Sequence, residues 1–171
     1  MTCPWRHNYH LFHRKVRSDG IFGLTSPRDL LDKLMYGFKR LKANEGQQAM
    51  LYTAYDFFVT AYSLVDWAKK HKPMTSAQAA TLYDKMIIKI CGDIANGSKH
   101  FRRDKPPKTT LKPHSAPPAF QPDAFQPDAF QTTWSAWVEL SPSEAQAVSV
   151  PELCPVLELA EKALEYWRRT L

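Results

Sequence analysis

The spacing of apolar residues divides this chain into four helical stretches and one strand. The first stretch spans 26–42, where Ser26 can cap a helix and Pro27 suits its first turn. Its apolar residues recur every three or four positions, as on the buried face of a helix: Leu30, Leu31, Leu34, Met35, Phe38 and Leu41. The residues 43–46, Ala-Asn-Glu-Gly, interrupt this pattern. We therefore expect a short turn and a second helix antiparallel to the first.

The second stretch spans 47–70, and aromatic residues are frequent in it. Its stripe consists of Leu51, Tyr55, Phe58, Val59, Tyr62 and Val65, with Trp67 beside them. This pattern is typical of a helix that faces a core, rather than of a surface on which bases stack. Asp56 and Asp66 also lie in this apolar helix, about three turns apart. We expect at least one of them to be buried next to a partner, because a buried carboxylate requires one.

The third stretch spans 75–101 and predicts one long helix capped by Thr75 or Ser76. Its inward face is predicted to contain Leu82, Met86, Ile87, Ile90, Cys91 and Ile94. Cys91 on this face is expected to fill space in the core, since free cysteine is among the most buried residue types. Gly92 and Gly97 each cost a helix about 1 kcal/mol relative to alanine. Their presence predicts a close approach by a neighbouring helix or a ligand.

The part of the chain after residue 101 begins with a proline-rich linker, 102–131. Its residues 102–130 contain seven prolines, and Ala-Phe-Gln-Pro-Asp occurs twice in tandem, at 119–123 and 124–128. We expect an extended loop there, without regular helix or strand pairing.

The strand is predicted after this linker, and a last helix follows it. Residues 132–140 alternate, with Trp134, Ala136, Val138 and Leu140 on one face. This pattern indicates one strand of a hairpin, whose other strand is expected in the N-terminal arm or at the end of the proline-rich loop. Ser149 and Glu152 are expected to cap the closing helix. Its apolar stripe is predicted to be Leu153, Val156 or Leu157, Ala160, Leu164 and Trp167.

These elements predict a mainly α fold, a four-helix bundle with a small β-hairpin and a proline-rich loop. A length of 171 residues favours a single domain over 1–171. Within it we expect a helical core at 25–101, the linker at 102–131, and a strand plus closing helix at 132–171.

The net charge of +6 hides a marked asymmetry between the two parts of the chain. Residues 1–112 contain 20 Lys and Arg against 9 Asp and Glu, whereas residues 113–171 contain 3 against 8. A basic surface of this kind favours RNA, a nucleoprotein complex or an acidic protein complex as partner, although a solvated face and a basic linker would give the same composition. The candidate nucleic-acid-binding residues are Arg14, Lys15, Arg17, Arg102, Arg103, Lys105 and Lys108.

Several other classes of function find little support in the sequence. No apolar run reaches the roughly 20 residues of a membrane-spanning helix, and no signal peptide is recognisable, so a cytoplasmic protein without a membrane partner is expected. The three cysteines are odd in number and scattered, which fits neither a disulfide framework nor a paired-cysteine zinc site. His7, His10 and His13 share a spacing of three but lack a ligand set. We expect no metal and no cofactor.

The compact polar cluster of the sequence is the candidate catalytic site. It consists of Asp66, Asp93, Asn96, Lys99 and His100. A histidine beside a carboxylate and a lysine could perform acid–base chemistry on a phosphodiester, with the cation stabilising the charged transition state. The alternative is a packing network in which Asp66 accepts hydrogen bonds from Asn96, Lys99 or His100 and joins two helices.

Three segments carry a resemblance to a known family: AYSLVDWAKK at 61–70, ICGDIANGSKHF at 90–101 and LELAEKALEYWRRTL at 157–171. Together with a variable linker and a strand, they resemble small bacterial and phage proteins with HEPN-like helical bundles. The resemblance covers about residues 45–101 and 134–171. It is most specific at the pair Asp66-Trp67 and at 95–100.

The resemblance implies four or five packed helices, and it allows a homodimer, since HEPN domains often dimerise. Active members cut RNA in toxin, defence and CRISPR-associated systems, using an Arg followed four to six residues later by a His. No Arg occurs from Asn44 to Phe101, and Gly92 stands about where related sequences have that Arg. Arg6 and His13 lie in a different element. The resemblance thus implies the fold more strongly than the nuclease activity.

The sequence therefore leads to three expectations for function. The first is a non-catalytic HEPN-like protein of phage or mobile-element origin that binds RNA or a nucleic-acid-handling complex through its basic half. The second is a metal-independent ribonuclease of the toxin or defence type that uses His100. The third is a protein-binding inhibitor or structural factor, which would dock through the repeated pentapeptide and through Trp134 and Trp137.

Overall fold

Residues 23–43, 45–71, 75–99, 110–115 and 134–171 are described by the structure, a computed structural model, and they form six helices and three strands. In chain order, the elements are α1 (Pro27–Ala43), α2 (Gln47–His71), α3 (Ser76–Asp84), α4 (Met86–Lys99), β1 (Thr110–Ser115), β2 (Trp134–Glu139), α5 (Pro142–Val148), β3 (Leu153–Pro155) and α6 (Val156–Thr170). The expected mainly α class is confirmed. The number of helices in these ranges is six rather than the predicted four.

Helices α1 and α2 form the predicted antiparallel pair, with ends within one residue of those expected. The side chain of Asp29 caps the start of α1 by accepting hydrogen bonds from the backbone N–H groups of Thr25 and Ser26, both at 2.8 Å. Gly46 has φ +108°, a conformation that side chains disfavour, and it allows the chain to turn into α2. Phe57 of α2 then packs against the bare backbone of Gly37 in α1.

The single helix predicted over 75–101 is two helices. Lys85 has extended backbone angles, φ −63° and ψ 125°, which end α3 and allow α4 to begin at Met86. No glycine or proline marks this break, so its cause is tertiary. The break lets Tyr83 of α3 contact α2 while α4 buries Ile88 and Ile90 in the core.

Helix α4 packs closely on α2 at Gly92, as the sequence predicts. A Cβ atom at Gly92 would lie 2.7 Å from Cε2 of Tyr62, so that only glycine fits against this ring without a shift. Cys91, next to it, is completely buried, which confirms its predicted place in the core. Gly92 thus allows the close contact between the two central helices.

The β element is a three-stranded antiparallel sheet in the order β1-β2-β3. Its central strand β2 was predicted, and Ala136, Val138 and the following Leu140 are buried as expected. The predicted small β element is present, but the positions of the partners of β2 were predicted only in part, because β1 lies in the proline-rich linker well before its end. One partner, β1, lies inside the linker 102–131, and the other, β3, lies inside the predicted closing helix. Pro113 is accommodated in β1 because that strand is an edge of this sheet.

Helix α5 has no counterpart in the predicted fold. Ser141 and Glu144 form a capping box at its start, and Pro142 occupies the first turn. The capping box predicted for Ser149 and Glu152 is wrong, because Ser149 ends α5 with a left-handed φ of 56°.

The closing helix α6 begins at Val156, later than predicted. Its buried residues include the predicted Val156, Ala160, Leu164 and Trp167. Two other residues of the predicted stripe are exposed, Leu157 in α6 and Leu153 in β3. Helix α2 is the central element of the fold, in contact with α1, α4, α6 and β2. None of the helices in the described ranges is both long and apolar enough to cross a membrane.

Candidate functional site

Asp66, the first predicted site residue, joins α2 to α3. The hydroxyl of Tyr83 donates a hydrogen bond of 2.7 Å to Oδ1 of Asp66, and Nζ of Lys69 lies 3.8 Å from the same oxygen. Lys69 also lies 5.1 Å from the centre of the Tyr83 ring, and the rings of Tyr62 and Tyr83 meet at 6.0 Å. Burial, followed by the hydrogen bond to Asp66, raises the pKa of Tyr83 to about 12. This cluster is a packing contact between helices.

The contacts of α2 with α3 and α4 show where Asp66 lies among the described residues. Tyr83, just before α4, contacts Asp66, whereas Gly92, within α4, contacts Tyr62. Asn96 lies one turn beyond Gly92 on α4. Within the described residues, Asp66 accepts a hydrogen bond from Tyr83 and pairs with Lys69.

Asp93, Asn96 and the backbone of Lys99 lie in the second half of α4. Asp93 and Asn96 are half-buried there. The side chain of Lys99 and all of His100 lie outside the described residues, so the catalytic role suggested for them stays a prediction.

Asp56 provides the second carboxylate contact of α2. Nζ of Lys33 in α1 lies 2.9 Å from both carboxylate oxygens of Asp56 and donates to Oγ1 of Thr60 at 2.7 Å. Neither Asp56 nor Asp66 is buried, contrary to the expectation for at least one of them, and each has a partner. The Lys33 contact holds the exposed sides of α1 and α2 together.

Three tyrosines of α1 and α2 are exposed. The exposed fraction is 64% for Tyr36, 64% for Tyr52 and 36% for Tyr55. Tyr55 was assigned to the buried stripe of its helix, and the structure corrects this. Two of them, Tyr36 and Tyr52, form together with Arg40 what we call the tyrosine surface.

The contacts between α1 and α2 bring the members of the tyrosine surface together. Tyr36 and Arg40 follow Lys33 by one and two turns on α1, and Tyr52 precedes Asp56 by one turn on α2. Because Lys33 binds Asp56 and the helices are antiparallel, Tyr36 and Tyr52 lie on the same side of the pair.

Electrostatic effects are consistent with this placement. The hydrogen bond to Glu45 and the charge of Glu45 raise the pKa of Arg40, and Tyr36 and Asp56 add smaller effects in the same direction. The Tyr52 hydroxyl accepts a hydrogen bond of 2.7 Å from Nε2 of Gln48, which orients its ring. The surface therefore presents aromatic rings beside a permanent cation, a combination suited to stacking and to charge neutralisation.

Sequence reasoning missed this surface because it interpreted the aromatic residues of the second helix as a core stripe and gave no role to Tyr36 and Tyr52. A signal was present, since Tyr36 lies off the apolar stripe of its helix, on the side away from Leu31, Leu34 and Phe38. The seven basic residues predicted to bind nucleic acid, from Arg14 to Lys108, lie outside the described residues. Their role stays a prediction.

The described residues offer little for metal or thiol chemistry. No group of three or more His, Cys, Asp or Glu side chains in these ranges is arranged to hold a metal ion. Cys91 and Cys154 are free and buried. Burial raises the pKa of Cys91 to about 12 and that of Cys154 to about 11, so both thiols are protonated and unreactive at neutral pH.

Comparison of the chain with family models, curated proteins and solved structures found no match. The assignment of a function therefore depends on the chemistry of the residues themselves.

Proposed function

We propose that this protein is a non-catalytic RNA-binding protein with a HEPN-like helical bundle, of phage or mobile-element origin, which binds single-stranded RNA. The tyrosine surface would stack unpaired bases, and the basic residues of 1–112 would neutralise the backbone phosphates. The observation that carries this proposal is the exposure of Tyr36 and Tyr52, each 64%, on the same side of one helix pair as Arg40.

Stacking explains why tyrosines at these positions are useful. Every base has an aromatic face, so exposed rings bind single strands with little sequence preference, and each stacked base contributes about 1–3 kcal/mol. Single-stranded RNA is the form in which bases are free to stack on protein side chains. Rings placed on rigid helices also lose little conformational freedom on binding.

The positive charge of helix α1 supports an anionic partner. Helix α1 contains five basic residues, Arg28, Lys33, Lys39, Arg40 and Lys42, and two acidic ones, Asp29 and Asp32. Of the five, Lys33 and Arg40 form ion pairs within the described residues, with Asp56 and Glu45 respectively. The excess of positive charge on α1 continues the basic character of residues 1–112.

The position of Asp66 favours binding over catalysis. A ribonuclease built on Asp66 and His100 would need that carboxylate beside the reacting groups. Within the described residues, Asp66 binds Tyr83 and Lys69 in a contact between helices. Incubation of total RNA with the native protein and with His100→Ala tests the alternative, because cleavage by the native protein alone would establish the ribonuclease.

The proposal is tested by the affinity for a fluorescent single-stranded RNA of about 12 nucleotides, measured by anisotropy. Tyr36→Ala/Tyr52→Ala should weaken binding by about 2 kcal/mol, or about thirtyfold in Kd, because two stacking faces are lost. Tyr36→Phe/Tyr52→Phe is the matched control and should bind like the native protein, since phenylalanine retains the aromatic face. Equal affinity of the alanine and phenylalanine variants would refute the proposal.

A further inference from the structure

A groove with a volume of about 450 Å³ lies between the start of α4, α5 and α6. It shares no residue with the tyrosine surface. Its volume is within the range of about 300–1,000 Å³ that is common for small-molecule sites.

Three basic side chains from two parts of the chain line this groove. Lys85 lies at the junction of α3 and α4, and Lys162 and Arg169 are two turns apart on α6. The groove is lined by one carboxylate, that of Glu165, which is paired with Arg169. Neither Lys85 nor Lys162 forms an ion pair within the described ranges of the chain. The lining of the groove therefore carries a net positive charge.

Apart from Thr170, the rest of the lining is apolar or aromatic. Met86 and Ile87 contribute from the start of α4, and the ring of Tyr166 contributes from α6. The Tyr166 ring is half-buried and meets the ring of Trp167 edge to face, with 5.3 Å between centroids. This contact holds the Tyr166 ring in place, so that it offers a fixed surface to a planar group.

We propose that this groove binds a nucleotide through its terminal phosphate monoester. Lys85, Lys162 and Arg169 would surround the phosphate, while Tyr166 and Met86 would contact the base and sugar. A phosphate monoester carries a charge of about −1.5 to −2 at pH 7, which matches the excess positive charge of the groove. The nucleotide has two sources, a free nucleoside monophosphate and the 5′-phosphorylated end of an RNA chain.

Calorimetric titration of the full chain with AMP and with adenosine tests this site, with inorganic phosphate as a third ligand. We expect AMP to bind at least tenfold more tightly than adenosine or phosphate alone, since both parts of the groove contribute. Lys85→Gln/Lys162→Gln should weaken AMP binding at least tenfold. Arg168→Gln, at an exposed arginine of α6 that does not line the groove, is the matched control and should leave the affinity for AMP unchanged. An AMP affinity unchanged in the groove variant would overturn the proposal, and so would an equal change in the control.

Two short RNAs that differ only in a 5′-phosphate distinguish the two sources. Tighter binding of the 5′-phosphorylated RNA, lost in Lys85→Gln/Lys162→Gln, identifies an RNA end as the ligand. If the protein binds AMP and has equal affinity for the two RNAs, the ligand is a free nucleotide. If the protein does not bind AMP and the 5′-phosphate does not change its affinity for RNA, the groove is not a phosphate site. The groove variant should still bind 5′-hydroxyl RNA, and Tyr36→Ala/Tyr52→Ala should still bind AMP, so this proposal and the RNA-binding function can fail separately.

Discussion

Replacement of Gly92 by alanine would disturb the contact between the two central helices. A Cβ atom at this position would lie 2.7 Å from Cε2 and 3.1 Å from Cδ2 of Tyr62. The Tyr62 ring has little freedom to move away, because it packs edge to face against the ring of Tyr83. The side chain added at Gly92 must therefore displace either the ring or the helix.

Two opposing effects determine how much Gly92→Ala changes the free energy of unfolding. Alanine in place of glycine stabilises a helix by about 1 kcal/mol. Overpacking of a close contact costs about 1–3 kcal/mol. We expect a net loss of about 1 kcal/mol in the free energy of unfolding for Gly92→Ala, or about 3 °C in Tm for a chain of this size.

Urea denaturation followed by circular dichroism would measure this change, with two controls. Gly37→Ala should increase stability, because its added Cβ would lie 3.6 Å from Cδ2 of Phe57, an ordinary contact distance. In a Tyr62→Ala background, Gly92→Ala should also increase stability, by up to about 1 kcal/mol, since only the helix propensity remains. The reasoning is refuted if Gly92→Ala stabilises the native protein, or if its effect is the same with and without the Tyr62 ring.

Other predictions concern Tyr83, the buried thiols and the start of α5. Because the pKa of Tyr83 is raised from 10 to about 12, its contribution to stability is complete below pH 10 and is lost as the pH rises through about 12. Tyr83→Phe should remove a phenolate absorbance change between pH 10 and about 12. An unchanged absorbance titration would contradict the assignment. In a Cys3→Ser variant, Cys91 and Cys154 should react with a thiol reagent only after unfolding, and rapid labelling of the folded protein would show that the burial is wrong. Ser141→Ala should lower the free energy of unfolding by about 1 kcal/mol through loss of the capping box, and an unchanged urea midpoint would argue against that cap.

The parts of the fold that sequence analysis predicted well are those specified by local patterns. The stripe from Leu30 to Leu41 and the Gly46 turn define α1 and the start of α2, and both are found as expected. The alternation at Ala136 and Val138 likewise identified β2. In each case a single periodicity and a clear capping or turn residue gave the same answer.

The errors arose where distant contacts decide the structure. The break at Lys85 has no helix-breaking residue and reflects the contact of Tyr83 with α2. Strand β1 contains Pro113, which argued against pairing, although a proline is tolerated on an edge strand. The strand β3 was merged with the last helix because its three residues are too few to show a pattern.

The candidate site shows the same limitation. Helical spacing correctly placed Asp93 and Asn96 on one helix, but it did not reveal which part of α2 faces them. The register of α2 against α4 depends on the Gly92–Tyr62 contact, which periodicity does not encode. The tyrosine surface was missed for a related reason, since Tyr36 and Tyr52 lie off the predicted apolar stripes and only the contact between α1 and α2 brings them to one side.

Photo-cross-linking tests the central claim, that single-stranded RNA binds at the tyrosine surface, most directly. An RNA containing 5-iodouridine would be irradiated in complex with the protein, and the cross-linked residues would be identified by mass spectrometry. We expect adducts at Tyr36 and Tyr52 that disappear in an excess of unlabelled RNA. Adducts confined to other parts of the chain, with none on α1 or α2, would contradict the account.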